Sequence, residues 1–478
     1  MKTSATKQTK VPVAHTLSAT RRKLLEGYLP LWKHQKQTLD LALKSPILFD
    51  TSSPGTGKTR AHLEAFKQRL QQGSSAKCLI LAPKSLLRTA WFNDAQKFTP
   101  DLRCSIAYST NRIKAFEQEA DIYITNTDAV TWLMKQPPAW LKAKFPPNST
   151  LIFDEVTLFK HRTSGRSKAA LKLSKFFQFR IGMTGTPNPH SVTELWHQIL
   201  LLDGGQRLGK NFFHFRGAVQ SPYERGQFTE WQDKPGIELA VAQILSDISV
   251  RHDFSTCMDI PPNFTYSRSF VPNQSLRDHY QAMMDTALLL LNEGTIKAVN
   301  AAVLQNKVLQ ILSGAAYDQE GKYVLLDTQR YELIADLIKE TQHSVCFFNW
   351  SHQKEQIAHI LTQRNIPHAI LDGTVPIRTR ERIVFQYQRG ELQTILLHPQ
   401  TGAHGLTLTK GTRTIWSSPI FQADFLVQGK HRIYRGGQTM KTETILVEAE
   451  NTIEGLIYER LNNNEQKMAN FLDLIKEA

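Results

Sequence analysis

The stretch Ser52-Ser53-Pro54-Gly55-Thr56-Gly57-Lys58-Thr59 has residue types and spacing suited to holding a chain of phosphates. Gly55 and Gly57 let the backbone turn its N–H groups towards phosphate oxygens, Lys58 brings a mobile charge for the β- and γ-phosphates, and the Thr59 hydroxyl suits Mg²⁺. Pro54, Gly55, Thr56, Gly57, Lys58, Thr59 and Arg60 are therefore the expected cradle for ATP. The common pattern opens with glycine where Ser52 stands, a small residue that leaves the catalytic end intact. Downstream, Asp154-Glu155 pairs a carboxylate suited to Mg²⁺ with one suited to orienting and deprotonating an attacking water. Thr184-Gly185-Thr186-Pro187 adds hydroxyls and an open backbone. Far along the chain, Arg432 and Arg435 are three residues apart and share a face of one helical turn. Guanidinium groups grip phosphate oxygens through two parallel hydrogen bonds, so these are expected to meet the γ-phosphate.

Such groups act only if the chain positions them. Ile47-Leu48-Phe49 reads as a buried strand before the glycine-rich loop, and Leu63, Phe66 and Leu70 have the spacing of a helix face after it. Leu79–Ala82, Ile122–Thr125 and Leu151–Phe153 are further short apolar runs, with helices expected near 85–97, 111–119 and 168–176. This alternation predicts a parallel sheet covered on both faces, with ligands at the carboxyl ends of its strands. A second alternation runs through Val345–Asn349, Ala369–Leu371, Thr394–Leu397, Thr414–Trp416 and Thr444–Val447. Between the two lies a looser stretch, Gly204 to Pro262, holding Phe212, Phe213, Phe215 and Trp231; these aromatics are expected mainly as core, with base stacking as the alternative. Residues 274–314 read as two long helices, with Leu288, Leu291, Val303, Leu304, Val308 and Ile311 as a core stripe.

The chain has 478 residues, 41% of them hydrophobic, enough for about three domains. No apolar run approaches the ~18 residues of a membrane span, and Cys78, Cys104, Cys257 and Cys346 are too scattered for a disulfide framework or a structural zinc site. A reduced, intracellular setting is expected, the host cytoplasm if the gene is a phage's. The formal charge is +15, but Lys2, Lys7, Lys10, Arg21, Arg22 and Lys23 precede the first acid, Glu26, so the body is only moderately basic. The tail, residues 1–25, is read as disordered with incidental phosphate contact; a targeting peptide fits its Lys-rich composition and Pro12 poorly.

Gly55–Thr59, Ala82-Pro83-Lys84-Ser85-Leu86 with Trp91, Asp154-Glu155 followed by Lys160, Met183–Pro187, and Glu194-Leu195-Trp196 occur here in an order that resembles the Swi/Snf-like branch of the superfamily-two helicases and translocases. The resemblance runs from about Leu29 to the C-terminal helix, and includes Gly402–Leu408 and Gln428–Gln438. It implies an α/β chain with two tandem RecA-like parallel-sheet lobes and a helical insertion between them. The expected bounds are 26–204 for the ATP-binding lobe, 205–262 for a helical protrusion and 263–478 for the second lobe. It also implies Gln35 at the adenine edge, Gln428 as a nucleotide contact, Arg432 and Arg435 as fingers, and Lys84, Ser85, Thr125, Asn126 and Thr407 on the phosphate backbone of double-stranded or branched DNA. His404 is then a sensor of nucleotide and DNA and not a metal ligand. Two departures stand out: Val156-Thr157 replaces the usual Ala then His or Gln, and His431 replaces the acid usual before the first arginine. The resemblance implies a DNA-stimulated ATPase and translocase, with branch migration or fork processing as a plausible task. An RNA- or transcription-complex-directed remodeller, a DNA-binding module that barely hydrolyses ATP, and a motor subunit of a larger assembly stay open beside a bare monomeric motor.

Overall fold

A computed structural model describes residues 30–187, 191–225, 228–257, 260–292, 298–318, 320–402, 406–420 and 422–463, with the side chains of 287–302 left aside. The basic tail, His404 with its neighbours Ala403 and Gly405, and residues 464–478 lie outside the described residues, as do the side chains of the stripe residues Leu288 and Leu291.

The first sheet is built from β1 (Ile47–Asp50), β2 (Cys78–Ala82), β3 (Cys104–Ala107), β4 (Ile122–Asn126), β5 (Thr150–Asp154) and β6 (Phe179–Met183). An antiparallel hairpin, β7 (Gln220–Arg225) and β8 (Phe228–Asp233), then precedes β9 (Ser249–Val250), which returns to pair with β1. The first-sheet order is β3-β4-β2-β5-β6-β1-β9, every pairing parallel. Both faces are covered. Phe49, Leu79, Leu81, Leu151 and Phe153 enter one core cluster, and Leu48, Ile80, Ile124, Ile152 and Ile181 the other. Each such side chain contributes about 1.5–3 kcal/mol on burial, which is why the strands read as unbroken apolar runs.

The order places β5, β6 and β1 side by side. Asp50 and Asp154 are both register partners of Met183, so the loops leaving these three strands meet at one edge. Helix α1 (Lys33–Lys44) precedes β1, and α2 (Lys58–Gln71) starts inside the phosphate loop. Where one helix was expected over 85–97, a π-helical turn, Leu87–Phe92, leads into an α-helix, Asn93–Phe98.

The segment expected as a helical protrusion contains α3 (Phe212–Val219) and α4 (Ile237–Leu245), but also the β7–β8 hairpin, and its end belongs to the first sheet through β9. Phe215 is buried and Phe212 packs on the first-lobe core, whereas Phe213 is 57% exposed. The second lobe begins at β10 (Asn263–Phe270), followed by α5 (Gln274–Asn292), α6 (Ala298–Leu312) and a small hairpin of β11 (Ala315–Tyr317) and β12 (Tyr323–Leu325). In the expected core stripe Val308 and Ile311 are buried, but Val303 lies on the outer face of α6. Strands β13 (Ser344–Phe347), β14 (His368–Leu371), β15 (Thr394–Leu397), β16 (Arg413–Trp416) and β17 (Thr442–Ala449) complete the second sheet, β10-β17-β16-β13-β15-β14. Cys346, Leu396 and Ile445 face one core, and Phe347, Leu397 and Trp416 the other. Among the described residues no helix is long and apolar enough to cross a membrane.

Candidate nucleotide site at the lobe interface

The loop after β1 takes its shape from two glycines in the left-handed region, Gly55 at φ +86° and Gly57 at φ +78°. A Cβ on Gly57 would collide with Gln35 Nε2, so this position requires glycine on two counts. The loop is tied internally: Thr56 Oγ1 donates to Ser53 O (2.9 Å), and Lys58 Nζ donates to Ser52 O (2.5 Å) and Ser53 O (3.2 Å). Burial lowers the Lys58 pKa, against the pull of Asp50, Glu155 and Asp154. Beneath the loop, Asp50 Oδ1 accepts from Ser52 N (3.0 Å) and Oδ2 meets His62 Nε2 (2.9 Å), both side chains being fully buried. Burial would raise the Asp50 pKa, but the His62 bond and charge with Lys58 hold it at about 2. Sequence reasoning missed this pair, although an acid closing β1 and a histidine one helical turn after Lys58 were visible.

Opposite the loop, Trp91 Nε1 donates to Asp154 Oδ2 (2.7 Å), and Thr184 Oγ1 donates to Glu155 Oε2 (3.3 Å). Glu155 sits at φ +56°, a strained backbone position for a residue other than glycine. Burial, then repulsion from Asp154, pushes its pKa up to about 7, against Lys58 and Arg432. A carboxylate poised there suits a general base. Burial also raises Asp154, with the Trp91 bond opposing. Gly185 lets the loop after β6 lie on the phosphate loop, since a Cβ would come 2.8 Å from Pro54 Cδ.

The second lobe closes the site. Helix α8 (Ala423–Lys430) leads into Arg432 and Arg435, whose guanidinium groups both donate to Leu406 O, at 3.4 and 3.2 Å. Burial lowers both pKa values, that of Arg432 to about 9 with help from Arg435, and that of Arg435 against the charge of Asp94. A cleft of about 670 Å³ is lined from the first lobe by Gly55, Lys58, Thr59, Asp154 and Glu155, and from the second by Arg432 and Arg435. A Cβ on Gly55 would lie 3.3 Å from Arg435 Cβ and 3.1 Å from the Phe254 ring. Phe254 belongs to the crossover between lobes. It packs edge-on against His431 (centroids 5.7 Å) and Tyr434 (5.3 Å). His431 Nδ1 lies 3.0 Å from Tyr434 O, and burial drives its pKa down to about 3, so it sits here as a neutral ring. Where an acid was expected, the chain places an aromatic contact between lobes.

Three of the expected nucleotide contacts have partners within the protein in this structure. Gln35 Nε2 donates to Gly57 O (3.2 Å) and its Oε1 accepts from Trp32 N (3.0 Å), so both ends of the amide serve the loop and the start of α1, although the residue lines the cleft. Gln428 is 5% exposed and stands outside the cleft wall; its main-chain oxygen accepts from Arg432 Nε (2.8 Å). Thr56 turns its hydroxyl inward, as noted, and does not line the cleft. Pro54 and Arg60 do line it, the latter with its guanidinium 4.3 Å from the Phe98 ring centre. Thr59 and Asp154 are the oxygen donors fit for Mg²⁺, which favours one or two protein oxygens alongside phosphates and water. Among the described residues no group of three or more His, Cys, Asp or Glu could hold another metal.

Of the expected nucleic-acid contacts, Lys84, Ser85 and Thr407 line a groove of about 360 Å³ between the lobes, with Arg88 and, from α7 (Ile377–Gln388), Arg380. Asn126 is half-buried, accepting from Arg112 NH2 (3.0 Å). Thr125 is corrected: it is fully buried in β4, and its hydroxyl donates to Ala107 O (2.8 Å).

The SNF2-related domain profile matches residues 31–317, and that of the helicase conserved C-terminal domain matches 329–437. The chain is 26% identical over 451 residues to putative protein p41 of Acyrthosiphon pisum secondary endosymbiont phage 1, covering 89% of this chain and 93% of that one. It is 23% identical to the putative ATP-dependent helicase/translocase YwqA of Bacillus subtilis, over 80% of this chain, and 22% identical to the bovine DNA annealing helicase and endonuclease ZRANB3, over 84%. It spans 42% of YwqA and 37% of ZRANB3. The SWI2/SNF2 ATPase core of Sulfolobus solfataricus, solved with double-stranded DNA, aligns over 94% of this chain and 95% of its own at 18% identity, with a TM-score of 0.44.

Proposed function

The chain belongs to the SNF2-related family of ATP-dependent helicases and translocases, and on that premise we propose that it hydrolyses ATP at the seam between its lobes and uses the cycle to move along duplex or branched DNA. The observation that carries this reading is the single cleft walled by Lys58, Asp154 and Glu155 from one lobe and Arg432 and Arg435 from the other. The loop backbone and Lys58 hold the phosphates at the N-terminus of α2, where the helix dipole favours negative charge. Thr59 and Asp154 would hold Mg²⁺, which supplies charge neutralisation across the β- and γ-phosphates when bound. Glu155 takes the proton of the attacking water, its raised pKa matching that task. Arg432 and Arg435 reach the cleft only through the second lobe, so turnover follows lobe closure.

Lys84, Ser85 and Thr407 share a groove drawn from both lobes. A phosphate backbone laid there favours the closed arrangement and positions the protein without reading sequence. One relative is a DNA annealing helicase and another a putative helicase/translocase, and fork processing or branch migration is the task we propose for this chain. The four cysteines are unpaired and fit a reduced intracellular setting. The deciding experiment is ATPase activity with single-stranded, duplex, forked and four-way-junction DNA and with duplex RNA. Duplex or branched DNA should raise turnover most; a rate indifferent to every DNA rejects the motor reading, and a preference for RNA redirects it.

A further inference from the structure

Helix α3 is fixed at its start by Asn211 Oδ1, which accepts from Phe213 N (2.9 Å) and His214 N (3.3 Å). That cap sets the direction of Phe213, whose ring stands 57% exposed while Phe215, two residues on, is buried. Two guanidinium groups flank the exposed ring. Arg162, from the loop after β5, has its guanidinium carbon 4.9 Å from the Phe213 ring centre and 4.5 Å from that of Phe212. Arg216, one turn along α3, lies 5.4 Å from Phe213 and 4.0 Å from Trp231 on the β7–β8 hairpin. Cation and ring therefore alternate in the order Arg162, Phe213, Arg216, Trp231.

Neighbouring cations are neutralised locally: Lys160 pairs with Glu194, Arg166 with Asp128, and Arg207 with Asp203 and Asp247. Among the described residues Arg162 and Arg216 take no such carboxylate, and Arg216 Nε is buried without a hydrogen-bond partner. The fold's own need for aromatic packing here is met by Phe212 and Phe215. The face also lies near the expected nucleic-acid surface: Arg166, in the helix Gly165–Ser174 that follows the loop of Arg162, donates to Asp128 Oδ1 (3.1 Å), whose Oδ2 accepts from Asn126 (3.4 Å).

We propose that this face, Arg162, Phe213, Arg216 and Trp231, is a binding surface for unpaired nucleotides, distinct from the duplex groove between the lobes. Resting on the DNA-motor reading, it would hold the single-stranded arm of a branched substrate. Planar guanidinium groups and rings offer stacking faces to bases, and the guanidinium edges take phosphates. Duplex DNA has no free base faces to offer, so phosphate contact alone would leave the rings unused. An acidic peptide would use the charges and leave the rings unused as well.

The test uses the full chain, a fluorescent 20-residue oligothymidine and a fluorescent duplex of about equal length, with binding followed by anisotropy at fixed salt. Phe213→Ala should weaken oligothymidine binding roughly tenfold, the effect of losing one base–aromatic stack, while duplex binding stays within about twofold. Phe213→Trp should keep the wild-type affinity. An unchanged oligothymidine affinity in a Phe213→Ala protein with wild-type melting temperature overturns the proposal, as does an equal loss on duplex. Displacement of oligothymidine by polyglutamate at equal charge concentration also overturns it, in favour of an acidic protein partner. The two readings fail separately. If duplex stimulates hydrolysis and Phe213→Ala changes nothing, this surface is wrong; if Phe213→Ala acts as expected but no DNA stimulates hydrolysis, the motor is wrong.

Discussion

Phe254 touches both halves of the machine at once: the phosphate loop at Gly55, and the second lobe at His431 and Tyr434. Its replacement by Ala tests whether closure of the lobes, and not nucleotide binding, limits turnover. Two edge-on aromatic contacts are lost, each about 0.5–1.5 kcal/mol beyond simple area burial. Those contacts cross the seam, so the loss of about 1–3 kcal/mol falls on the closed arrangement alone. At about 1.4 kcal/mol per tenfold, the closure equilibrium shifts by roughly 5- to 150-fold, and kcat should fall by a comparable factor. Steady-state ATPase activity with saturating duplex DNA reads kcat, and a fluorescent ATP analogue reads affinity, which should change less than about threefold because the loop's own bonds are untouched. Phe254→Tyr should recover most of the rate. Wild-type kcat in a well-folded Phe254→Ala protein would refute the reasoning; a fall in affinity matching the fall in kcat would show that the ring supports the loop and not the seam.

Replacing Lys58 with Ala should abolish turnover, and preserved DNA-stimulated hydrolysis would reject the phosphate-loop assignment. Arg435→Ala should bind the nucleotide analogue normally yet lose about 10³-fold or more in kcat, the effect of a missing arginine finger; loss of binding at unchanged melting temperature counts against that role. Trp91→Phe removes the indole donor from Asp154 and should raise the Mg²⁺ concentration for half-maximal activity about tenfold, with an unchanged Mg²⁺ profile as the contrary result. His431 has a folded pKa of about 3 against an ordinary 6.5, so the stability it contributes is complete above about pH 6.5 and is lost as pH falls towards 3. Between pH 7.5 and 5 the wild type should therefore lose about 2 kcal/mol more than His431→Phe, seen as a larger drop in melting temperature.

Most strands of both lobes were legible because buried parallel strands must be apolar on both faces, as in Cys78–Ala82 and Thr394–Leu397, whereas the partly exposed β3 and β10 were not. The same property hid the direction of individual side chains. Thr125 follows Ile124 in a strand with no polar alternation to mark inside from outside, and its hydroxyl turns to Ala107. The hairpin over 220–233 escaped because Tyr223 and Trp231, both aromatic, occupy opposite parities of the ladder and blur the period of two. The phosphate loop, the Asp154-Glu155 pair and the two arginines were legible because each needs specific residue types at fixed spacing. Asp50, His62 and Phe254 were not, since their partners become neighbours only when β1, α2 and the crossover meet.

The loop from Leu406 to Gly411 ties the expected DNA contact to the arginines. Leu406 O accepts from both Arg432 and Arg435, Leu408 N donates to Arg432 O (2.9 Å), and Gln438 Nε2 donates to Thr409 O (3.1 Å) and Gly411 O (2.9 Å). Thr407 is therefore one peptide away from the carbonyl that holds both guanidinium groups. A phosphate pulling on Thr407 shifts that carbonyl, and the arginines must then follow it or exchange it for another acceptor, of which the γ-phosphate would be the strongest within the cleft. In the family, the residue at Thr157 normally helps couple hydrolysis to DNA engagement from the first lobe. Here that residue is short, and we propose that the route through Leu406, which runs wholly within the second lobe, carries the coupling in its place.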